Sequence, residues 1–200
     1  GALAPAGRDR ALLDRQELLS ADSARRLYGE RARDAGGYAP GSRPELEAAA
    51  ARFAGHARPG LATAAALCVA ASRLTERPLG AEDRTEEEIL ASGTATWLER
   101  ARTLARLAQV RGLTARICLL YGRAPERFHA VCEVSIMNAW AVFDPLAGRY
   151  YVFPHRGYAS ALDLVRHPEI LDKHPDHGRL TTLDAAFYRL LAISELPDAA

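Results

Sequence analysis

The sequence of 200 residues is poor in several residue types, and each scarcity excludes a class of protein. It has three cysteines, one methionine and a single lysine, Lys173. An odd cysteine count without a CxxC pair argues against a disulfide framework. The net charge of +1 gives no electrostatic case for a nucleic-acid partner. No apolar run approaches the ~18 residues of a membrane-spanning helix, so we expect no transmembrane segment.

What the sequence does contain is typical of a folded domain. Hydrophobic residues make up 48% of the chain and charged residues 26%. A chain of this length can bury a hydrophobic core without the help of disulfides or a structural metal. Cys68, Cys118 and Cys132 each lie in an apolar run, which predicts buried free thiols. The His- and Asp-rich stretch 167–177 matches no common zinc spacing. We therefore expect no metal site and no cofactor.

The chain divides into an N-terminal extension, 1–43, and a main domain, 44–200. The extension is Arg-rich and interrupted by Gly and Pro, with short helices predicted at 10–19 and 23–35. Its opening, Gly1 to Pro5, resembles a trimmed start. In the main domain we expect helices at 44–56 and at 61–74.

Two further helices are predicted before the hydrophobic pattern changes from helical to strand-like. Thr85, with Glu88 three residues later, has the form of a capping box and starts a short helix. A long helix from about Thr96 to Arg111 carries apolar residues at spacings of three and four, and Gly112 ends it.

Strands follow, rich in β-branched and aromatic residues. They are ARICLLYG, FHAVCEVSI and AWAVFD, with a hairpin turn at Met137-Asn138, and then RYYVF. Helices are predicted after them at 159–166, 168–173 and 183–196. The fold class is α+β, with N-terminal helices, a central helix on an antiparallel sheet of about four strands, and C-terminal helices.

One helix start and two strands have the layout of a Cys-His-Asp hydrolase or acyl transferase. In such a site a Cys at a helix N-terminus is stabilised as thiolate by the helix dipole. A His acts as general base, and an Asp orients the imidazole. Here His129 begins one strand and Asp144 ends its antiparallel partner. The hairpin places 129 close to 146 and 131 close to 144, so His129 and Asp144 are predicted near neighbours.

Four motifs in order resemble the bacterial transglutaminase-like family, whose core has a papain-like fold. They are Ala101 at the start of the apolar helix, the segments GLTAR (112–116) and HAVCEV (129–134), and WAVFDP (140–145) followed by Gly148. The resemblance covers about residues 60–155. It implies His129 and Asp144 as the general base and its orienting partner. The segment YASALDLVRHPEIL also resembles the tail of some members from bacterial exopolysaccharide clusters.

The chain departs from the family pattern at the nucleophile. The spacing of the family motifs places Trp97 where the family has its Cys. An indole cannot attack a carbonyl, and it is large enough to fill the cleft. Thr94 or Thr96 at the helix start is more often a cap than a nucleophile. Cys132 lies three residues from His129 and so on the opposite face of the strand. Cys118 has no visible activating partner.

We therefore expect a transglutaminase-like domain that has lost its thiol chemistry and serves as a binding or scaffolding module. Its setting is a bacterial cell-surface or polysaccharide-related system, and its ligand is a protein, peptide or polysaccharide. The expected binding residues are Trp97, His129, Trp140 and Tyr121. The alternative is an enzyme of the same fold, either an amide hydrolase or acyl transferase or one using His129 and Asp144 for acid–base chemistry. The sequence leaves the oligomeric state open, and favours an extracytoplasmic over a cytoplasmic location.

Overall fold

The structure, a computed structural model, describes residues 38–78, 84–122, 128–153, 157–167 and 191–193. In this part of the chain the helices are α1 Pro44–Ala54, α2 Leu61–Ser72, α3 Glu86–Ser92, α4 Trp97–Val110 and α5 Ala161–Arg166. The predictions for the segment 1–37, and for the helix at 168–173, lie outside the described residues. Within the described ranges no helix is both long and apolar enough to cross a membrane.

The strands are β1 Thr75–Glu76, β2 Thr94–Ala95, β3 Ala115–Gly122, β4 Phe128–Ile136, β5 Ala139–Asp144, β6 Arg149–Tyr150, β7 Val152–Phe153, β8 Gly157–Tyr158 and β9 Leu191–Ile193. The main sheet is antiparallel and has the order β6-β5-β4-β3-β9. Two short sheets, β1 with parallel β2 and β7 with β8, lie beside it. The class is therefore α+β, as the sequence predicted.

Local sequence signals account for most element boundaries. Thr85 caps α3 in a complete capping box with Glu88, as predicted. Met137 and Asn138 both have positive φ, 50° and 65°, which is the backbone of a two-residue hairpin turn that matches strand twist. Gly112 follows α4 with φ 76°, in the left-handed conformation that ends helices.

Two predictions about the C-terminal half are wrong. Residues 191–193 form β9, where the sequence predicted part of a helix over 183–196. The other residues of that predicted helix lie outside the described part of the chain. β9 pairs with the outer edge of β3, with Leu120 opposite Ile193. Backbone hydrogen bonding to this edge outweighs the helix preference of the leucines, and it makes the sheet five-stranded where about four strands were expected.

The predicted strand RYYVF is also divided. Arg149 and Tyr150 pair with β5, whereas Val152 and Phe153 pair with β8. Tyr151, between them, is fully buried. The chain therefore leaves the main sheet at this residue and turns one large side chain into the core.

The core lies between one face of the sheet and the helices α1, α2 and α4. On β4 this face consists of the alternate residues Ala130, Cys132, Val134 and Ile136. On α4 it consists of the buried residues Ala101, Leu104, Ala105, Leu107 and Ala108. The opposite face of β4 includes Glu133, which is buried although it is charged.

Candidate functional site

The start of α4 is where the sequence placed the missing nucleophile. Trp97 is the first helical residue, and Thr96 is the N-cap. Trp97 is half-buried and packs against the main core cluster. The sequence-predicted helix start is therefore confirmed, and it carries an indole. At this helix start the chain therefore presents an apolar, non-nucleophilic side chain.

The positive end of α4 is already neutralised from within the chain. Glu99 accepts a hydrogen bond from the Thr96 N–H at 2.8 Å, and the Thr96 hydroxyl accepts one from the Glu99 N–H at 3.1 Å. This capping box satisfies two of the free N–H groups of the helix start. A carboxylate here also interacts favourably with the helix dipole.

Arg84 completes this arrangement with two hydrogen bonds to Glu99. Its Nε lies 2.9 Å from Oε1 and its Nη2 lies 2.7 Å from Oε2. The same Nη2 donates to the carbonyl oxygen of Thr94 at 2.8 Å. We call Thr96, Glu99 and Arg84 the helix-start clamp. Burial raises the pKa of Glu99, but the bonds from Arg84 and Thr96 outweigh it and hold this pKa below its ordinary value.

Sequence reasoning missed the clamp as a feature of the site. The Thr96-x-x-Glu99 pattern was a readable capping-box signal. The part played by Arg84 was not readable, because an ion pair between residues 15 apart depends on how α3 packs against α4.

His129 and Asp144 lie on neighbouring strands, as the sequence predicted. The β4–β5 register pairs Cys132 with Phe143, and continuing it by one pair places Val131 opposite Asp144. The side chains of His129 and Tyr121 lie outside what the structure describes, so a His129–Asp144 hydrogen bond and a Trp97–His129 contact remain predictions.

Asp144 is fully buried and organises a turn. Its Oδ1 accepts hydrogen bonds from the Leu146 N–H at 2.9 Å and the Ala147 N–H at 3.2 Å. Such hydrogen bonds from nearby backbone N–H groups to the side chain explain why Asp is common at the start of turns. The Asp-Pro-x-x-Gly segment therefore has a structural reason for its Asp, separate from any role beside an imidazole.

Asp144 also lies near two groups that the sequence did not assign to the site. Burial lowers the pKa of Arg100, and the charges of Glu76 and Asp144 act in the opposite sense. Burial and the charge of Asp144 raise the pKa of Tyr151. Because Arg100 is one helical turn beyond Trp97, the start of α4 and the end of β5 lie in the same part of the molecule.

None of the three thiols is activated. All are buried, and burial is the first cause that raises the pKa of each. The Glu133 charge raises the pKa of Cys118 and Cys132 further, and Asp144 does the same to Cys68. Nucleophilic cysteines need the opposite environment, electropositive and accessible. Cys132 belongs to the helix-facing core.

Two motif residues stabilise the sheet. Arg116 donates to Glu133 Oε2 from Nε at 2.7 Å and also pairs through Nη2 at 2.7 Å. The other oxygen of Glu133 accepts the Ala161 N–H at 2.7 Å, at the start of α5. Trp140, an expected binding residue, is half-buried and has the Arg116 guanidinium carbon 3.9 Å from its ring centroid. Arg116 therefore makes a buried ion pair, and one face of Trp140 is already occupied.

No protein-family model matches the chain, and no curated protein matches it. Two solved structures are similar to part of it. One is described as a "putative cysteine protease" from Cytophaga hutchinsonii, with 19% identity and a TM-score of 0.46 over 52% of this chain and 37% of that one. The other is a "putative protease" from Parabacteroides distasonis, with 12% identity and a TM-score of 0.45 over 62% of this chain and 25% of that one.

The matched region thus spans about a third of the first neighbour and a quarter of the second. Within the described residues, no group of three or more His, Cys, Asp or Glu side chains could hold a metal ion. The geometry can cap a helix, bury charges in pairs and form an Asx-type turn. Among the described side chains it offers no activated nucleophile.

Proposed function

We propose that the chain is a papain-like, transglutaminase-like domain without thiol catalysis, and that it serves as a non-catalytic binding or scaffolding module. The observation that carries the proposal is Trp97 at the first position of α4. In the family that the motifs resemble, this is the position of the nucleophile. Indole nitrogen and carbon atoms cannot form an acyl intermediate under conditions where a thiolate does.

The helix-start clamp supports the same conclusion. A catalytic thiolate gains stability from free N–H groups at a helix start. Here Glu99 and Arg84 neutralise that end of α4. The three native thiols offer no replacement, because each is buried among groups that raise its pKa.

A test is to measure thiol reactivity and turnover in one set of variants. The native protein is treated with a maleimide, and amide hydrolysis and glutamine–amine exchange are assayed on peptide substrates under reducing conditions. We expect no labelling of native cysteines and no turnover. Met137→Cys is the matched control for labelling, because residue 137 is 90% exposed at the hairpin tip. Turnover that a single Cys→Ala variant abolishes would refute the proposal.

The alternative is an enzyme of the same fold that uses His129 and Asp144 for acid–base chemistry. The β4–β5 register supports it, since it brings the two positions close together. The full burial of Asp144 and its bonds to the turn favour a structural role instead. The variant His129→Ala separates the two proposals. The alternative requires that it abolish a measurable reaction, and the binding-module proposal requires that no reaction depend on it.

The proposed setting is a bacterial cell-surface or polysaccharide-related system, in which a domain of this kind would bind a protein, peptide or polysaccharide. The support is the resemblance of the YASALDLVRHPEIL segment alone. We also propose a division into an extension, 1–43, and a main domain, 44–200, and its support is that α1 begins at Pro44. Limited proteolysis that releases a stable fragment beginning near residue 44 would support that boundary.

A further inference from the structure

A groove lies between α1 and α2, and none of the residues that line it belongs to the candidate site. It has a volume of about 400 Å³. Its floor is apolar and consists of Phe53, Ala65, Ala66, Val69 and Ala70. Val69 is 37% exposed, one of few large hydrophobic side chains in the described part of the chain that reach this level.

The sequence of α2 explains why this face is apolar. The helix, LATAAALCVAAS, has no charged residue and is hydrophobic all round. A helix of this kind is normally covered on every side. One side packs into the core through Ala64, Leu67, Cys68 and Ala71, whereas Ala62, Ala65, Ala66 and Val69 remain at least partly exposed. The exposed residues recur at spacings of three and four, so they form a single face.

The charges at the rim have one sign. Arg52 and Arg73 line the groove, and no acidic residue does. The Arg52 guanidinium carbon lies 4.9 Å from the centroid of the Phe53 ring. Among the described residues neither arginine makes an ion pair. From Ala65 to Arg73, the C-cap residue of α2, there are eight residue steps, or about 12 Å at 1.5 Å per step.

We propose that this groove is a docking surface for an amphipathic α-helix of a partner protein, with carboxylates that pair with Arg52 and Arg73. Small residues on the floor let a second helix approach closely. Two positive charges at the rim and none of opposite sign fix the complement as acidic. The length along α2 matches two turns of helix, so a partner segment of about two turns covers the groove. The inference does not depend on the role of Trp97.

The probe is a synthetic helical peptide with an Ala/Leu face and two Glu residues seven positions apart. Its partner peptide has Lys in place of both Glu. Fluorescence anisotropy measures binding to the full chain. We expect the Glu peptide to bind, and the Arg52→Glu/Arg73→Glu double variant to weaken it about tenfold, in the range of two exposed ion pairs. The Lys peptide should bind the Arg52→Glu/Arg73→Glu variant more tightly than it binds the native chain. Val69→Asp should also weaken the Glu peptide.

Arg58→Glu is the control, since this exposed arginine does not line the groove. It should leave both affinities unchanged. The proposal is overturned if neither peptide binds at about 1 mM, or if both bind equally. It is also overturned if the native chain sediments as a dimer that Val69→Asp dissociates, because this would assign the face to a second copy of the chain. Binding to anionic phosphatidylglycerol vesicles in place of the Glu peptide would assign it to a lipid surface.

Discussion

Replacing Glu99 with Gln removes the charge of the helix-start clamp while keeping its shape. The amide oxygen can still accept the Thr96 N–H, so the loss falls mainly on the pair with Arg84. Both side chains are nearly buried, with exposures of 12% for Arg84 and 7% for Glu99. Breaking a fully buried pair costs about 3–5 kcal/mol, and an exposed pair is worth less than about 1 kcal/mol. We expect Glu99→Gln to lower the free energy of unfolding by about 2–3 kcal/mol.

The stabilisation by Glu99 should depend on pH, and its direction follows from the pKa of this carboxyl. The pKa of Glu99 is lowered in the folded protein, so its stabilisation is complete above its ordinary pKa. It is lost as pH falls through the lowered folded value. The difference between the native protein and Glu99→Gln should therefore be largest near pH 7 and should shrink in acid.

The assay is urea unfolding followed by circular dichroism, at pH 7 and in acid. Glu45→Gln is the matched control, because Glu45 is an exposed first-turn acid of α1; it should cost less than about 1 kcal/mol. In a double-mutant cycle with Arg84→Met, we expect a coupling energy of about 1–2 kcal/mol. The reasoning is refuted if Glu99→Gln costs no more than Glu45→Gln, or if its cost does not change with pH.

Two further predictions concern the sheet and its turn. Arg116→Met should lower the free energy of unfolding by about 3–5 kcal/mol, because it leaves the buried Glu133 carboxylate without its counter-charge. Glu133→Gln in the same chain should restore part of the loss, and equal stability of the single and double variants would contradict this. Gly148→Ala should cost about 2 kcal/mol in thermal unfolding, since Gly148 has φ +68° and an added Cβ would lie 2.6 Å from the Ser72 hydroxyl oxygen; an unchanged midpoint would show that the turn relaxes freely.

Much of the fold was readable because its signals are local. Capping residues, helical periodicity and the Met137-Asn138 turn fixed α3, α4 and the β4–β5 register. The strand β9 was not readable, because LAI in a leucine-rich stretch forms a strand only when the edge of β3 is beside it. The departure of Tyr151 from the sheet has the same cause. The burial of a side chain depends on the residues that pack over it, and these residues are often distant in sequence.

The candidate site shows the same division. Trp97 at the helix start and the neighbouring positions of His129 and Asp144 followed from spacing and alternation. The pairing of Arg84 with Glu99 and the closeness of Arg100 to Asp144 did not, since both link segments far apart in sequence. The turn formed by Asp144 could have been recognised from Asp-Pro-x-x-Gly, a sequence that favours local hydrogen bonding.

The central proposal is that the Trp97 indole occupies the position that a catalytic cysteine has in transglutaminase-like domains, beside His129. The most direct measurement is the set of nuclear Overhauser effects from the His129 imidazole protons in the full-length protein. The account predicts cross-peaks to the Trp97 indole and none to a cysteine side chain. Trp97→Phe should shift the imidazole resonances, and Trp140→Phe, the matched control, should not. Cross-peaks from His129 to a cysteine, with none to Trp97, would contradict the account.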